Sequence, residues 1–264
     1  MVRLGAAIAA ATRGTDAEIL AAHAAWTERT GVAPALFPVW RSLTAPGRLG
    51  APSQRLVDGL RAAGSTPVAY LESGHDPAGD GTARYVKLLS GFHDDLLKSF
   101  DDPELIVRFD HEMNGKRFPW AKVPPSLYRA AFRHVSEVVT SKLFWCPMGH
   151  TAEHLATMAD YFPGGWACDY VGFDRYDLGE RRPLPKAWAG PIGALRDIVT
   201  RPIIVGEFGS LRTPTGDRAP WLRSLSDVRG VWGAIYFDID MREAEGRDWR
   251  LDSGMRRAWR EMTP

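Results

Sequence analysis

Eight short apolar runs alternate with longer amphipathic stretches along the whole of this 264-residue chain. The apolar runs fall at 2–10, 35–41, 66–72, 105–112, 142–149, 169–176, 202–208 and 230–238, and most are continuous rather than alternating. An unbroken β-prone run of that length reads as a strand covered on both faces, the condition of a parallel sheet. Helical periodicity occupies 15–30, 52–63, 82–99, 125–140, 152–161, 190–199, 218–227 and 252–262. Thr15-Asp-Ala-Glu18 has the form of a capping box opening the first helix, and Pro124-Pro-Ser126 starts the fourth. Eight βα units in order predict α/β architecture: a single closed (β/α)8 TIM barrel spanning 1–264. The alternative is an open doubly wound sheet, but the first turn has no GxGxxG and no shift of composition marks a second domain.

Charge narrows the partners. Lys and Arg number 33 against 32 Asp and Glu, and a net charge of +1 gives no electrostatic case for nucleic acid or an anionic membrane. No apolar run approaches the roughly 18 residues of a membrane span. Leu4–Ala11 behind Met1-Val-Arg3 imitates a signal-peptide core, but the fold needs it as the first strand and its basic flank is one Arg. The expectation is a monomer, secreted if a leader has been removed and cytoplasmic if the chain is complete. Cys146 lies late in one strand and Cys168 just before the next, near opposite ends of the sheet, so both are expected to be free thiols. With no CxxC and no HExxH, a structural zinc or zincin site has no sequence support, and the chemistry read below calls for no metal or other cofactor.

In a barrel the active site forms at the C-terminal ends of the strands. There the sequence collects Glu72, His75, Asp110, His111, Glu112, Asn114, His150, Asp174, Tyr176, Glu207 and Asp238. Two runs stand out, Arg108-Phe-Asp-His-Glu-Met-Asn-Gly115 and Ile203-Ile-Val-Gly-Glu-Phe-Gly209, since each carries a glutamate where a buried strand emerges. Period-two alternation sends Arg108, Asp110 and Glu112 to one face of strand four, and a break near the strand end leaves His111 able to reach the cleft. Strands four and seven look across the bore at one another. Glu112 and Glu207 therefore suit the carboxyl pair of a retaining glycosidase, which needs a separation of about 5–5.5 Å.

Five ordered segments carry a resemblance. They are His111-Glu-Met-Asn-Gly115 with Phe118-Pro-Trp120, Phe144-Trp-Cys-Pro147, Tyr161-Phe-Pro-Gly164, Val171-Gly-Phe-Asp-Arg-Tyr176 and Gly206-Glu-Phe-Gly209. In this the chain resembles glycoside hydrolase family 26, the retaining β-mannanase and mixed-linkage glucanase family. The resemblance implies that Glu112 is the acid/base and Glu207 the nucleophile, with Tyr176 hydrogen-bonding the nucleophile and His111 orienting the site. It implies a stacking platform at Trp120, with β-mannan as first substrate and β-glucan second; Arg108, on the Glu112 face and able to keep the nucleophile ionised, and Asn114 are expected among the substrate-binding residues. Ten Trp, seven Tyr and eleven Phe suit sugar stacking and equally suit a core.

The chain departs from the family at Arg117, where many members carry an aromatic, and at Tyr70-Leu-Glu-Ser-Gly-His75, which lacks the Trp-His pairing of mannanases. Short loops predict an open cleft. Two other classes compete: a sugar-binding barrel without catalysis, which would lack one carboxylate, and a metal-dependent hydrolase built on Asp110, His111, His150 and Asp174. Barrels of the latter kind commonly place a His pair on strand one, and 2–10 contains no His.

Overall fold

The computed structural model describes residues 2–74, 81–213 and 216–263; His75 lies outside them. The chain order in the first half is β1 (Arg3–Ile8), α1 (Ala9–Arg13), α2 (Asp16–Thr30), β2 (Leu36–Ser42), α3 (Gln54–Ala62), β3 (Thr66–Glu72), α4 (Gly81–Leu89), α5 (Asp94–Lys98) and β4 (Ile106–Phe109). It continues with α6 (Pro125–Val138), β5 (Lys142–Trp145), α7 (Ala152–Thr157), β6 (Tyr170–Asp177), α8 (Leu184–Ile198), β7 (Ile203–Ser210), α9 (Ala219–Arg223) and β8 (Gly233–Asp238). A small excursion, β9 (Asp240–Met241), α10 (Arg242–Glu245) and β10 (Arg247–Asp248), precedes the last helix α11 (Ser253–Met262).

Strands β1 to β8 form one parallel sheet in the order β1-β8-β7-β6-β5-β4-β3-β2, a nearly closed (β/α)8 barrel. Its ends meet where the Ala35 amide donates to the Leu4 carbonyl at 2.8 Å. Gly5 permits that approach, since a Cβ there would lie 2.5 Å from the Leu36 carbonyl oxygen. The predicted first strand is β1, exposed at Arg3 and buried from Leu4 to Ile8. The capping box also forms: the Thr15 amide donates to Glu18 Oε2 at 2.8 Å and the Glu18 amide to Thr15 Oγ1 at 3.4 Å. Cys146 and Cys168 are buried free thiols. No helix among the described residues is long and apolar enough to cross a membrane.

Several boundaries differ from expectation for local reasons. Helix 82–99 is two helices, because Gly91 takes a left-handed φ of 78° between α4 and α5. Helix 190–199 begins earlier, after Pro183, and carries Pro191 inside it. Strands four and five end at Phe109 and Trp145, short of the predicted 112 and 149. Beyond Phe109 the backbone turns left-handed at Asp110 (φ 37°) and again at Glu112 (φ 55°). Such conformations cost about 1–3 kcal/mol each in non-glycine residues and concentrate at functional sites.

Candidate active site

Arg108 is the hub of the barrel mouth. It is fully buried, and β4 aims it into the bore, where Nη1 donates to Glu207 Oε1 at 2.8 Å and Nη2 pairs with Asp174 Oδ2. Its guanidinium lies 4.3 Å from the centre of the Tyr70 ring, whose hydroxyl crosses the bore to the Gly206 carbonyl at 2.5 Å. Burial alone would strip its charge, but the carboxylates of Asp174 and Glu207 outweigh that and hold it cationic.

Glu207 reaches this cluster because β7 is irregular. The pairing of β6 with β7 runs Phe173 to Val205 and then Asp174 to Glu207, so one extra residue, Gly206, is accommodated on β7. Strict alternation from Ile204 would put Gly206 inward and Glu207 against the helices. The bulge lets both face the bore, a device that re-aims side chains beside active sites. Gly206 must lack a side chain, since a Cβ would lie 2.7 Å from both Asp174 Oδ1 and Cys146 Sγ, and 3.0 Å from Arg108 Cζ. The second oxygen of Glu207 accepts the Tyr176 hydroxyl, and the Tyr176 ring rests on Trp249 at 4.8 Å.

Glu112 follows the left-handed turn after β4, and its amide is fixed by the Cys146 carbonyl at 2.9 Å. Glu112 and Glu207 are each only 6% exposed. Burial, and then the charges of Asp174 and Glu207, push the Glu112 carboxyl well above the usual carboxylate range and so favour its protonated form. Asp174 is pushed up to about 7, by burial first, with Arg108 pulling against it. Tyr176 is raised too, by burial and then by Glu207, and stays a hydrogen-bond donor. The result is a carboxyl poised to give a proton beside a carboxylate held by two donors, one on each oxygen.

The remaining predicted site residues divide. His111 enters the cluster: a ring nitrogen lies within 4.8 Å of carboxylate oxygens of both Asp174 and Glu207, and its ring packs 4.7 Å from Phe118. Asp110 does not follow the alternation expected of it. The φ reversal turns it to the helix layer, where it accepts the Ser73 amide at 2.7 Å and the Tyr85 hydroxyl at 2.8 Å, and burial pushes it up to about 7.

Trp120 is not a stacking platform. It is fully buried, one face covered by Phe118 at 4.6 Å and 5° and its Nε1 donating to the His111 carbonyl at 2.6 Å, so it buttresses the loop that holds His111 and Glu112. The half-buried Phe118 is the ring nearer solvent. Asn114 fastens two loops: its amide donates to the carbonyls of Met148 (3.0 Å) and His154 (2.9 Å), and its oxygen accepts the Met148 amide at 2.7 Å. Those bonds turn its amide to the protein main chain.

Asp238 is likewise spent on structure, accepting Trp26 Nε1 at 2.7 Å, Arg29 at 2.8 Å and the Leu251 amide at 2.7 Å. His150 lines a pocket with Arg175, Arg182 and Trp188 that meets the carboxylate cluster at Tyr176. Sequence reasoning gave no role to Gly206, Tyr70 or Trp249. Gly206 left a signal, a glycine directly before the strand-end glutamate.

A metal could in principle use His111, Asp174 and Glu207, whose ligand atoms cluster within 4.8 Å. Both carboxylates, however, already share the Arg108 guanidinium, which fills the space between them with a cation. The four-ligand alternative fails at Asp110, which faces the helices.

No family sequence model matches this chain, and no curated protein matches it in sequence. Solved structures do. The catalytic domain of a GH26 endo-β-1,4-mannanase from Bacillus sp. JAMB-750 is similar at a TM-score of 0.66 and 15% identity, covering 98% of this chain and 84% of that one. A GH26 domain from a Prevotella bryantii endo-β-mannanase/endo-β-glucanase gives 0.64 at 12% identity, covering 97% and 88%. A modular GH26 endo-β-1,4-mannanase from Cellulomonas fimi gives 0.62 at 18%; there the alignment covers 89% of this chain and 64% of the longer protein. At these identities the shared property is the fold.

Proposed function

We propose that this chain is a retaining β-glycoside hydrolase of glycoside hydrolase family 26, acting on β-mannan or its oligosaccharides with β-glucan as the second candidate. The observation that carries the reading is a buried Glu112, whose carboxyl is pushed well above the usual range, in one site with a Glu207 whose two oxygens are gripped by Arg108 and Tyr176. The fold is shared with proteins described as β-mannanases, and the five sequence segments that resemble the family lie on β4 to β7 and the loops that follow them.

In the first step Glu207 attacks the anomeric carbon while Glu112 gives its proton to the departing glycosidic oxygen. Electrostatics then drive the second step. The charge on Glu207 is one cause of the high Glu112 pKa, and ester formation removes it. Glu112, now deprotonated and less repelled, settles toward an ordinary carboxylate and can take the proton of the incoming water. Release of the sugar restores the charge on Glu207 and with it the proton affinity of Glu112. Arg108 follows the charge on Glu207 through the cycle, and Asp174 keeps Arg108 in place when that charge is gone.

Product release from β-mannan, mixed-linkage β-glucan, β-1,3-xylan and their oligosaccharides tests the reading, with Glu207→Ala beside the wild type. Cleavage by the wild type alone is expected. Equal activity of the two proteins, or none from the wild type on any glycan, overturns it.

A further inference from the structure

We infer that Arg117 and Glu245 form a strap across the mouth of the barrel that disfavours long glycan chains relative to short ones; the inference rests on the hydrolase reading above. Arg117 belongs to the loop after β4, and Glu245 ends α10, after β8. In the sheet order β4 and β8 stand four strands apart by either route around the barrel, so they occupy opposite sides of the bore. Yet Arg117 Nη2 and Glu245 Oε1 form an ion pair, across 128 residues of sequence. A pair joining loops from opposite rims bridges the mouth between them. Arg117 also lies close enough to Glu112 for its charge to act on that carboxyl.

The two ends of the strap differ. Glu245 is the fixed end: it also faces Arg247 Nη1 at 3.8 Å, and its helix is closed by the Gly246 amide on the Arg242 carbonyl at 3.0 Å and framed by the β9–β10 pairing. Arg117 is the movable end, a long side chain 60% exposed with its guanidinium 5.6 Å from the Phe118 ring. The low exposure of Glu112 and Glu207, 6% each, agrees with a covered rather than an open groove.

An exposed ion pair of this kind is weak and opens readily. The strap therefore does not forbid entry. It divides the mouth into a β1–β3 side and a β5–β7 side, and a chain running from one to the other has to part it, whereas a short oligosaccharide can settle on one side. The short loops of this chain would otherwise leave a through-groove, so Arg117 and Glu245 set the preferred chain length.

Two measurements decide the matter together. The first is carbodiimide coupling of Arg117→Lys followed by peptide mass spectrometry, with the native Lys116–Glu153 pair, 3.4 Å apart, as the positive control. A 117–245 cross-link is expected. The second is the ratio of kcat/KM on polymeric β-mannan to that on a mannotetraose, measured for wild type, Arg117→Ala, Glu245→Ala and the double variant. Both substrates share one chemical step, so a change in the catalytic carboxyls cancels in the ratio.

Each single variant is expected to raise the ratio about threefold or more, the double variant no further than the singles, and added salt to raise it in the wild type alone. Cleavage with an unchanged ratio, or with the control cross-link but no 117–245 cross-link, overturns the strap and leaves the hydrolase reading intact. Absence of cleavage of either substrate brings down the hydrolase reading and this inference with it.

Discussion

Replacing Arg108 by Met removes the one guanidinium shared by Glu207 and Asp174 and leaves both carboxyls buried without it. Arg108 is fully buried, so water cannot take its place cheaply. Truncating one partner of a buried pair costs about 3–5 kcal/mol, because the uncompensated charge remains behind. At about 2–4 °C per kcal/mol for a chain of this size, the melting temperature should fall by about 6–20 °C at pH 8. Lys at the same position should recover only part of that, since an ammonium cannot reach two carboxylates with one planar fork.

The loss is also pH-dependent. Without Arg108 the freed carboxyls have higher folded-state pKa values than in the wild type, and the folded variant takes up protons as the pH falls toward 5. The gap to the wild type should therefore narrow from pH 8 to pH 5. Thermal unfolding followed by circular dichroism at both pH values makes the test. A variant melting within about 2 °C of wild type at pH 8, or a gap that widens on acidification, refutes the description of Arg108 as the electrostatic centre of the site.

The wild type should itself melt higher at pH 5 than at pH 8: Asp110 and Asp174 at about 7, and Glu112 above the carboxylate range, hold protons in the folded state that unfolded carboxyls release near pH 4. Stability contributed in this way is lost as the pH rises through about 7, and a melting temperature that climbs from pH 5 to 8 contradicts these assignments. Tyr176→Phe removes one of the two donors to Glu207 and should lower kcat/KM about 10–100-fold with little change in melting temperature, the value of a hydrogen bond to a charged group. Unchanged kinetics would show that the hydroxyl does not serve Glu207. Trp120→Ala should destabilise the fold by about 3–5 kcal/mol, while Trp120→Phe keeps most of the stability and leaves KM near wild type; a KM rise in a stable Trp120→Phe protein would restore a sugar-stacking role.

The barrel was legible because its strands are buried on both faces and so appear as unbroken apolar runs, from Leu4–Ile8 to Gly233–Asp238. Arg108, Tyr176 and Glu207 were also legible, as polar residues on or at the ends of such runs, and the structure gathers them with Glu112 and His111 in one buried cluster. What escaped was anything that depends on departures from regular geometry. Alternation misassigned Asp110 because a φ reversal is invisible to a period-two rule. It also would have turned Glu207 outward, since a bulge has no periodic signature beyond the glycine that permits it.

Trp120 and Asn114 were read from their motif positions as substrate contacts. Their hydrogen bonds to the main chain, His111 for one and Met148 and His154 for the other, could be seen only once the loops after β4 and β5 were placed side by side. The pairing of Arg117 with Glu245 lay beyond local pattern altogether, because it joins opposite rims of the barrel.

The division of labour between Glu112 and Glu207 is tested most directly by azide rescue of the two alanine variants on a β-glycoside with a good leaving group, with the anomeric configuration of the glycosyl azide read by proton NMR. Glu207→Ala opens space on the face opposite the leaving group, so azide should attack there and give the α-azide in one inversion. Glu112→Ala still forms the glycosyl-enzyme on Glu207, and azide should then take the place of water and give the β-azide after two inversions. The same configuration from both variants, or the two configurations exchanged, would contradict the account.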